Sequence, residues 1–429
     1  MKKNFFILNF FMLYNMLWKL SLIFLKKNNN LNKEFKKRTT SIHHKKADIW
    51  IHAASAGEAY LAISILNRLK TRKKLKILLT SITLQGFNIL QTQSNSTTLN
   101  EFFEITIEYF PFDMPDNIKQ AVKIIDPCLM ILLETELWPA LLYFLKQNQT
   151  KILIINARLS AKSFKKYKLV SFIAKHFSPD LILATSEKYK KRFAKIFYNS
   201  KIKLMQNIKF ESFETINSKI ADVNINNPNN LPITVFASII KNEETDIIKI
   251  LKLILNDFPD QIIAIFPRHQ SRIQAWEKHL TSNKFKYLLR SKLSPNTKDD
   301  KPNNLPLNKS QIILWDKFGE QNSFFKLSSI VFVGGSLKPL GGQNFIEPAI
   351  NGCFTIIGPY YDDFDWVKED IFKDNIVTKK QDWKEVAYTI VNACKNPESP
   401  EKQKKKTIKY VEKNKGGTDK ACTEILKYF

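Results

Sequence analysis

From Asp48 onward, short runs of aliphatic residues alternate with longer stretches of helical period. Residues 49–53, 76–80, 129–133, 151–155 and 181–184 are rich in Ile and Leu without alternation, the pattern of parallel strands buried on both faces. Each is followed by a polar loop and a helix-period segment, which predicts a Rossmann-like domain. A second set at 233–237, 261–266, 311–314, 330–333 and 354–357 predicts another. Between them, residues 211–230 turn polar and end in Asn-Asn-Pro-Asn-Asn, the linker candidate. Residues 284–310, with Pro295, Pro302 and Pro306, read as a surface loop, and residues 401–415 as a basic helix packing its Ile408 and Val411 face onto the body.

The first thirty residues follow a different pattern. Residues 5–25 are mostly Phe, Leu, Ile and Met, interrupted by Asn9, Asn15 and Lys19 and flanked by Lys2, Lys3, Lys26 and Lys27. No small-residue cleavage site follows, so the reading is an uncleaved membrane anchor, spanning the bilayer or lying in its interface. The alternative is a buried first helix of the domain. The expected layout is an anchor over 1–30, an N-terminal Rossmann-like domain over 31–215 and a C-terminal Rossmann-like domain over 216–429. The anchor would place the protein at the cell inner membrane, its body on the basic, cytoplasmic side.

Composition narrows the partners. The net charge of +27 favours a polyanion: nucleic acid, anionic inner-membrane lipid or a phosphorylated substrate. No nucleic-acid recognition motif is present and the basic residues are dispersed, so no nucleic-acid partner is expected. Cys128, Cys353, Cys394 and Cys422 are far apart, which suggests neither a zinc site nor a disulfide framework.

Candidate chemistry lies where strands end. The run from His52 to Glu58 closes the first strand in small residues and brings the Glu58 carboxylate to a helix start, at the sheet edge where open α/β folds bind ligands. Glu134 and Glu136 follow another buried strand, a costly place for carboxylates unless they are paired or used. Arg158, after the next strand, supplies a cation for one of them. In the second half, Pro267-Arg268-His269 offers a guanidinium for phosphate or base. Gly334-Gly335-Ser336, followed by residues 341–348, reads as a glycine-rich phosphate loop leading to a helix start, with Glu347 in reach of ribose hydroxyls. Asp363 and Asp365 match Asp-x-Asp formally but read as a solvated acidic loop, so no metal is assigned.

These motifs, with Asn207-Ile208-Lys209-Phe210 and Phe318-Gly319-Glu320, occur in the order found in bacterial 3-deoxy-D-manno-octulosonic acid (Kdo) transferases, which the chain resembles. The resemblance implies the GT-B fold, two Rossmann-like domains facing across a cleft. It also implies inverting transfer of Kdo from CMP-Kdo to the lipid A precursor, without a cofactor. By match to the family, Glu58 is the general base and Glu134 and Lys209 stabilise the transition state. CMP would be held by Pro267, Arg268, Phe318, Gly319, Glu320, Asn344, Phe345, Ile346 and Glu347. The chain departs from the family at residues 238–244, where threonine, histidine and glycine are missing, and at Gln206, Gln343 and Phe345. The competing expectation is a non-catalytic lipid A or anionic-lipid binding protein on the same fold, with no need for Glu58.

Overall fold

The computed structural model describes residues 2–25, 38–39, 45–95, 97–169, 171–213, 225–226, 232–293, 305–306 and 312–429. Much of the polar linker and of the proline-bearing loop lies outside them. The chain forms two compact units, Met1–Ser212 with Asn414–Phe429, and Phe213–Lys413.

The first unit is built on seven strands: β1 (Ile49–His52), β2 (Leu75–Ser81), β3 (Phe103–Tyr109), β4 (Leu129–Leu133), β5 (Lys151–Ala157), β6 (Leu181–Ala184) and β7 (Lys201–Leu204). They lie in the order β3-β2-β1-β4-β5-β6-β7, every pairing parallel. Strand order reverses between β1 and β4, which pair in register from Ile49 with Leu129 to His52 with Leu132. This is the position where doubly wound sheets open a ligand crevice.

The second unit repeats the plan with β8 (Ile233–Ile239), β9 (Ile262–Pro267), β10 (Tyr287–Leu289), β11 (Ile312–Leu314), β12 (Ile330–Val333), β13 (Phe354–Ile357) and β14 (Val377–Lys379). Their order is β10-β11-β9-β8-β12-β13-β14, again parallel, with the reversal between β8 and β12. Two Rossmann-like sheets therefore stand as expected. Within these two sheets the strands not anticipated, β3, β7, β10 and β14, are the outermost; β3, Phe-Glu-Ile-Thr-Ile-Glu-Tyr, alternates polar residues and is largely half-buried, so it lacks the continuous aliphatic signature. A separate two-stranded parallel pair, Ile225–Asn226 with Leu305–Pro306, also forms in segments read from sequence as linker and loop.

The anchor expectation is overturned. Among the described residues no helix is long and apolar enough to cross a membrane. The segment forms helix α1 (Lys2–Leu25), which packs on the first unit. Ile7 and Phe11 are buried in the core that contains Phe110, Leu141 and Phe177, and the Phe11 ring lies 4.4 Å from that of Tyr143. Two of the polar residues that interrupt the apolar run contact α2 (Pro115–Ile125): Asn15 donates to Asp116 at 2.7 Å and Lys19 pairs with the same carboxylate at 3.4 Å. The Tyr14 hydroxyl donates to Asp113, 3.0 Å away. Met12, Leu13, Met16, Leu17 and Leu20 remain exposed on the other side. The inner-membrane placement, which rested on this segment as an anchor, falls with it.

The C-terminus also departs from the expected layout. The helix Pro400–Lys413 buries Val411 but leaves Ile408 38% exposed, and turns Gln403, Thr407 and Tyr410 inward instead. Asn414–Phe429 then returns to the first unit. There the helix Gly417–Ile425 buries Ala421, Cys422 and Ile425, while Glu424 pairs with Lys203 at 2.6 Å. The Glu211 carboxylate accepts the N–H groups of Gly416 and Thr418 at 3.0 and 3.1 Å.

Candidate functional site

In the first unit the β1 and β4 strand ends are neighbours, so Glu58 and Glu134 come to one edge of the sheet although 75 residues separate them in sequence. Glu58 opens the helix Ala56–Arg68, where Ser55 and Glu58 form a reciprocal cap. Its Oε2 accepts the N–H of Ala54 at 2.6 Å. The residue is 7% exposed. Burial, reinforced by the charges of Glu136 and then Glu134, pushes its carboxyl up to about 8.

Glu134 is buried and adopts a left-handed backbone, φ 57°. Such a conformation costs a non-glycine residue about 1–3 kcal/mol and persists only where the surroundings enforce it. Here the Glu134 N–H donates to Ile155 O, and the carboxylate is held between two cations, Lys209 Nζ at 2.8 Å and Arg158 Nε at 2.6 Å. Arg158 thus pairs with Glu134 rather than Glu136. Lys209 is placed by Asn156, another left-handed residue at a strand end, whose Oδ1 accepts the Ile208 N–H at 3.0 Å.

Glu136 was not assigned a role from sequence. Its carboxylate accepts Trp138 Nε1–H at 2.8 Å and lies 3.7 Å from Nε2 of the fully buried His52. Three carboxyls are thus gathered in one unit: one neutralised by two cations, one bound by indole and one left with a high proton affinity. That last group, Glu58, is suited to accept a proton near neutral pH.

The second unit holds a cavity of about 450 Å3 at the carboxyl ends of its strands. It is lined by Pro267, Arg268, Phe318, Gly319, Asn344 and Glu347 among the residues expected from sequence. Three others lie elsewhere. Phe345 and Ile346 are buried in the packing beneath, and the Glu320 carboxylate accepts from Arg290 Nε at 2.9 Å and Trp315 Nε1 at 3.1 Å. Gln321 and Asn322 line the cavity without having been singled out, and Ser238, met in the sequence only as the start of the stretch that departs from the family, lines it too. Gln321 and Asn322 follow Phe318-Gly319-Glu320 directly, the one signal that pointed to them. Phe318 is 91% exposed, an apolar ring offered to solvent at the rim. Burial pushes the Glu347 carboxyl up to about 7, against hydrogen bonds from Asn344 and Asn322.

The phosphate-loop expectation fails at its first part. The N–H groups of Gly335, Ser336 and Leu337 are directed at the buried Glu243 carboxylate, at 2.6, 2.8 and 2.7 Å. They have no donor capacity left for a phosphate. The helix after the second glycine pair, Ile346–Ile350, is only five residues long and contributes little dipole.

Comparison with known proteins gives the same direction. A profile of the 3-deoxy-D-manno-octulosonic-acid transferase family matches residues 30–212. A 3-deoxy-D-manno-octulosonic acid transferase of Haemophilus influenzae is 30% identical over 306 residues, 70% of this chain and 68% of that one. One from Rickettsia felis is 28% identical over 391 residues, 89% of this chain and 79% of that one. A solved glycosyltransferase from Rickettsia africae, 14% identical, covers 90% of this chain and 100% of its own with a TM-score of 0.55, which is a likeness of fold. On the strength of a 30% identity that covers 70% of this chain and 68% of the relative, together with the family profile over residues 30–212, the chain belongs to the Kdo transferase family and is a glycosyltransferase of it.

Proposed function

We propose that the protein transfers Kdo, with inversion, from CMP-Kdo to a hydroxyl of the lipid A precursor, and that Glu58 is the general base. The observation that carries this reading is the Glu58 carboxyl itself, buried at the strand-order reversal with its proton affinity raised to about 8, beside a Glu134 that two cations neutralise. In the proposed step the acceptor oxygen bonds to the anomeric carbon as Glu58 takes its proton. The bond from that carbon to the CMP phosphate oxygen breaks, and CMP leaves with the electron pair. One carboxylate on the acceptor side suffices for inversion. Lys209 and Arg158 hold Glu134 in place and outweigh its charge, so that the three groups together stabilise negative charge developing in the transition state and leave Glu58 as the carboxyl that takes the proton.

The second unit supplies the donor site in this reading. The cavity offers the Arg268 guanidinium for phosphate, the Phe318 ring for a base and Glu347 with Asn344 for ribose hydroxyls. The relatives' names support Kdo as the sugar, and the carboxyl cluster of the first unit and the Arg268-lined cavity of the second support the division of labour.

The test incubates the full chain with CMP-Kdo generated in situ and a tetraacyl-disaccharide bisphosphate, and reads added Kdo by mass spectrometry. Transfer by the parent, reduced by about 10²–10⁴-fold in a folded Glu58→Ala variant, is the expected result. A folded parent that binds CMP but transfers nothing would overturn it.

A further inference from the structure

The crevice at a strand-order reversal is where a doubly wound sheet takes its ligand. In the second unit, part of that crevice is already filled by the protein. Glu243, at the end of the 3₁₀ turn Lys241–Glu243 after β8, is fully buried. Its Oε1 accepts from Ser336 and Leu337, and its Oε2 accepts from Gly335 at 2.6 Å and Ile240 at 3.4 Å. Three successive amides converging on one anion form a nest of the kind that binds phosphate. Glycine makes the nest possible: Gly335 has φ +71°, and a Cβ at Gly334 would stand 2.8 Å from Ser238 O.

The nest is tied to the cavity on both sides. Ser238, which lines the cavity, holds a left-handed φ of 55° and donates its hydroxyl to Gln321 at 3.2 Å. It lies two residues before Ile240, whose N–H Glu243 binds. On the other strand end, Gly335 O accepts the Gly342 N–H at 2.8 Å, and Gln343, also lining the cavity, packs against Gly335. One carboxylate therefore fastens the two loops that carry Ser238 and Gln343. Burying a carboxylate is costly, and burial does push this one above the usual range while the four amides pull it back. An amide or apolar side chain would plug the same space with less desolvation, but would not satisfy four donors at once.

We propose that Glu243 is a built-in anion that occupies the phosphate-type nest of the glycine turn and positions Ser238 and Gln343 for the nucleotide donor. The donor's own phosphate is thereby directed to the Arg268 side of the cavity. The inference rests on reading this cavity as the CMP site, and Glu243 acts in it as a positioning residue.

The test titrates CMP into the full chain by calorimetry and compares donor and acceptor KM. Glu243→Gln keeps the volume but leaves one acceptor oxygen for four N–H groups. It is expected to weaken CMP binding and raise the donor KM by about tenfold, with the acceptor KM unchanged. Glu243→Ala empties the nest, and added acetate, but not chloride at equal ionic strength, should restore much of the CMP affinity. Glu243→Asp keeps the charge on a shorter stem and should give an intermediate loss, which serves if the other variants do not fold. Variants that fold and bind CMP as the parent does would overturn the proposal. So would acetate that raises Tm without restoring CMP affinity. A parent that binds no CMP would refute the donor site itself, and this inference with it.

Discussion

Burial, then Glu136, then Glu134 hold the Glu58 carboxyl at about 8 in the folded chain, well above the value near 4.5 of an unperturbed glutamate. The sign of the consequence follows. In its proposed role as base Glu58 must be unprotonated to act, so kcat/KM for transfer should rise with pH through about 8. Glu136→Gln removes the like charge that acts more strongly on Glu58, and its amide oxygen still accepts from Trp138. In that variant the rising limb of the pH–rate profile should move to lower pH; an unmoved limb would separate Glu136 from the base. Stability runs the other way. The folded state holds the Glu58 proton more tightly than the unfolded state, so its contribution is full below pH 4.5 and is lost as pH rises through about 8. A neutral residue at position 58 should therefore raise Tm most in alkaline buffer while it abolishes most transfer, the trade between stability and activity common at catalytic sites.

At the scale of elements, α1 shows how an apolar run can mislead. Its hydrophobic residues satisfy two surroundings, a protein core on one side and an exposed face on the other. Its polar interruptions, Asn15 and Lys19, meet Asp116. Asp113 completes the joint: it accepts from Tyr14 and from the Ala140 and Leu141 N–H groups that open the helix Pro139–Gln147, and burial pushes its carboxyl up to about 7. Phe11→Ala should cost about 3–5 kcal/mol of first-unit stability and Tyr14→Phe about 1 kcal/mol, both read by urea denaturation. A helix that served only as an appendage would show neither loss.

At the scale of the molecule, the chain leaves the first unit near Ser212, builds the second and comes back at Asn414. The return is fastened by Arg68 with Asp419, Lys203 with Glu424, and Glu211 on two N–H groups. Removing residues 414–429 uncovers Ile65 and its neighbours beneath Cys422 and Ile425. Scanning calorimetry of the truncated chain should show the first-unit transition at lower temperature and the second-unit transition unchanged. A uniform shift of both would show that the two units unfold as one.

Much of this was legible in the sequence, because continuous Ile and Leu runs have no stable home except a parallel sheet covered on both faces. The inner strands of both sheets and the strand-end motifs with Glu58, Glu134, Arg268 and Glu347 could be read that way. Edge strands such as β3 could not, since half-exposed positions carry mixed residues. Nor could the partners of charged groups be read, because pairing depends on distances that strand order creates. Adjacency of β1 and β4 brings Glu58 near Glu134 and Glu136, and adjacency of β8 and β12 gives the glycine turn to Glu243. A carboxylate looks the same in the sequence whether it takes a proton, neutralises a cation or fills a nest. Its role is decided by burial and by the donors that tertiary structure aims at it, because those set the free energy of its charge.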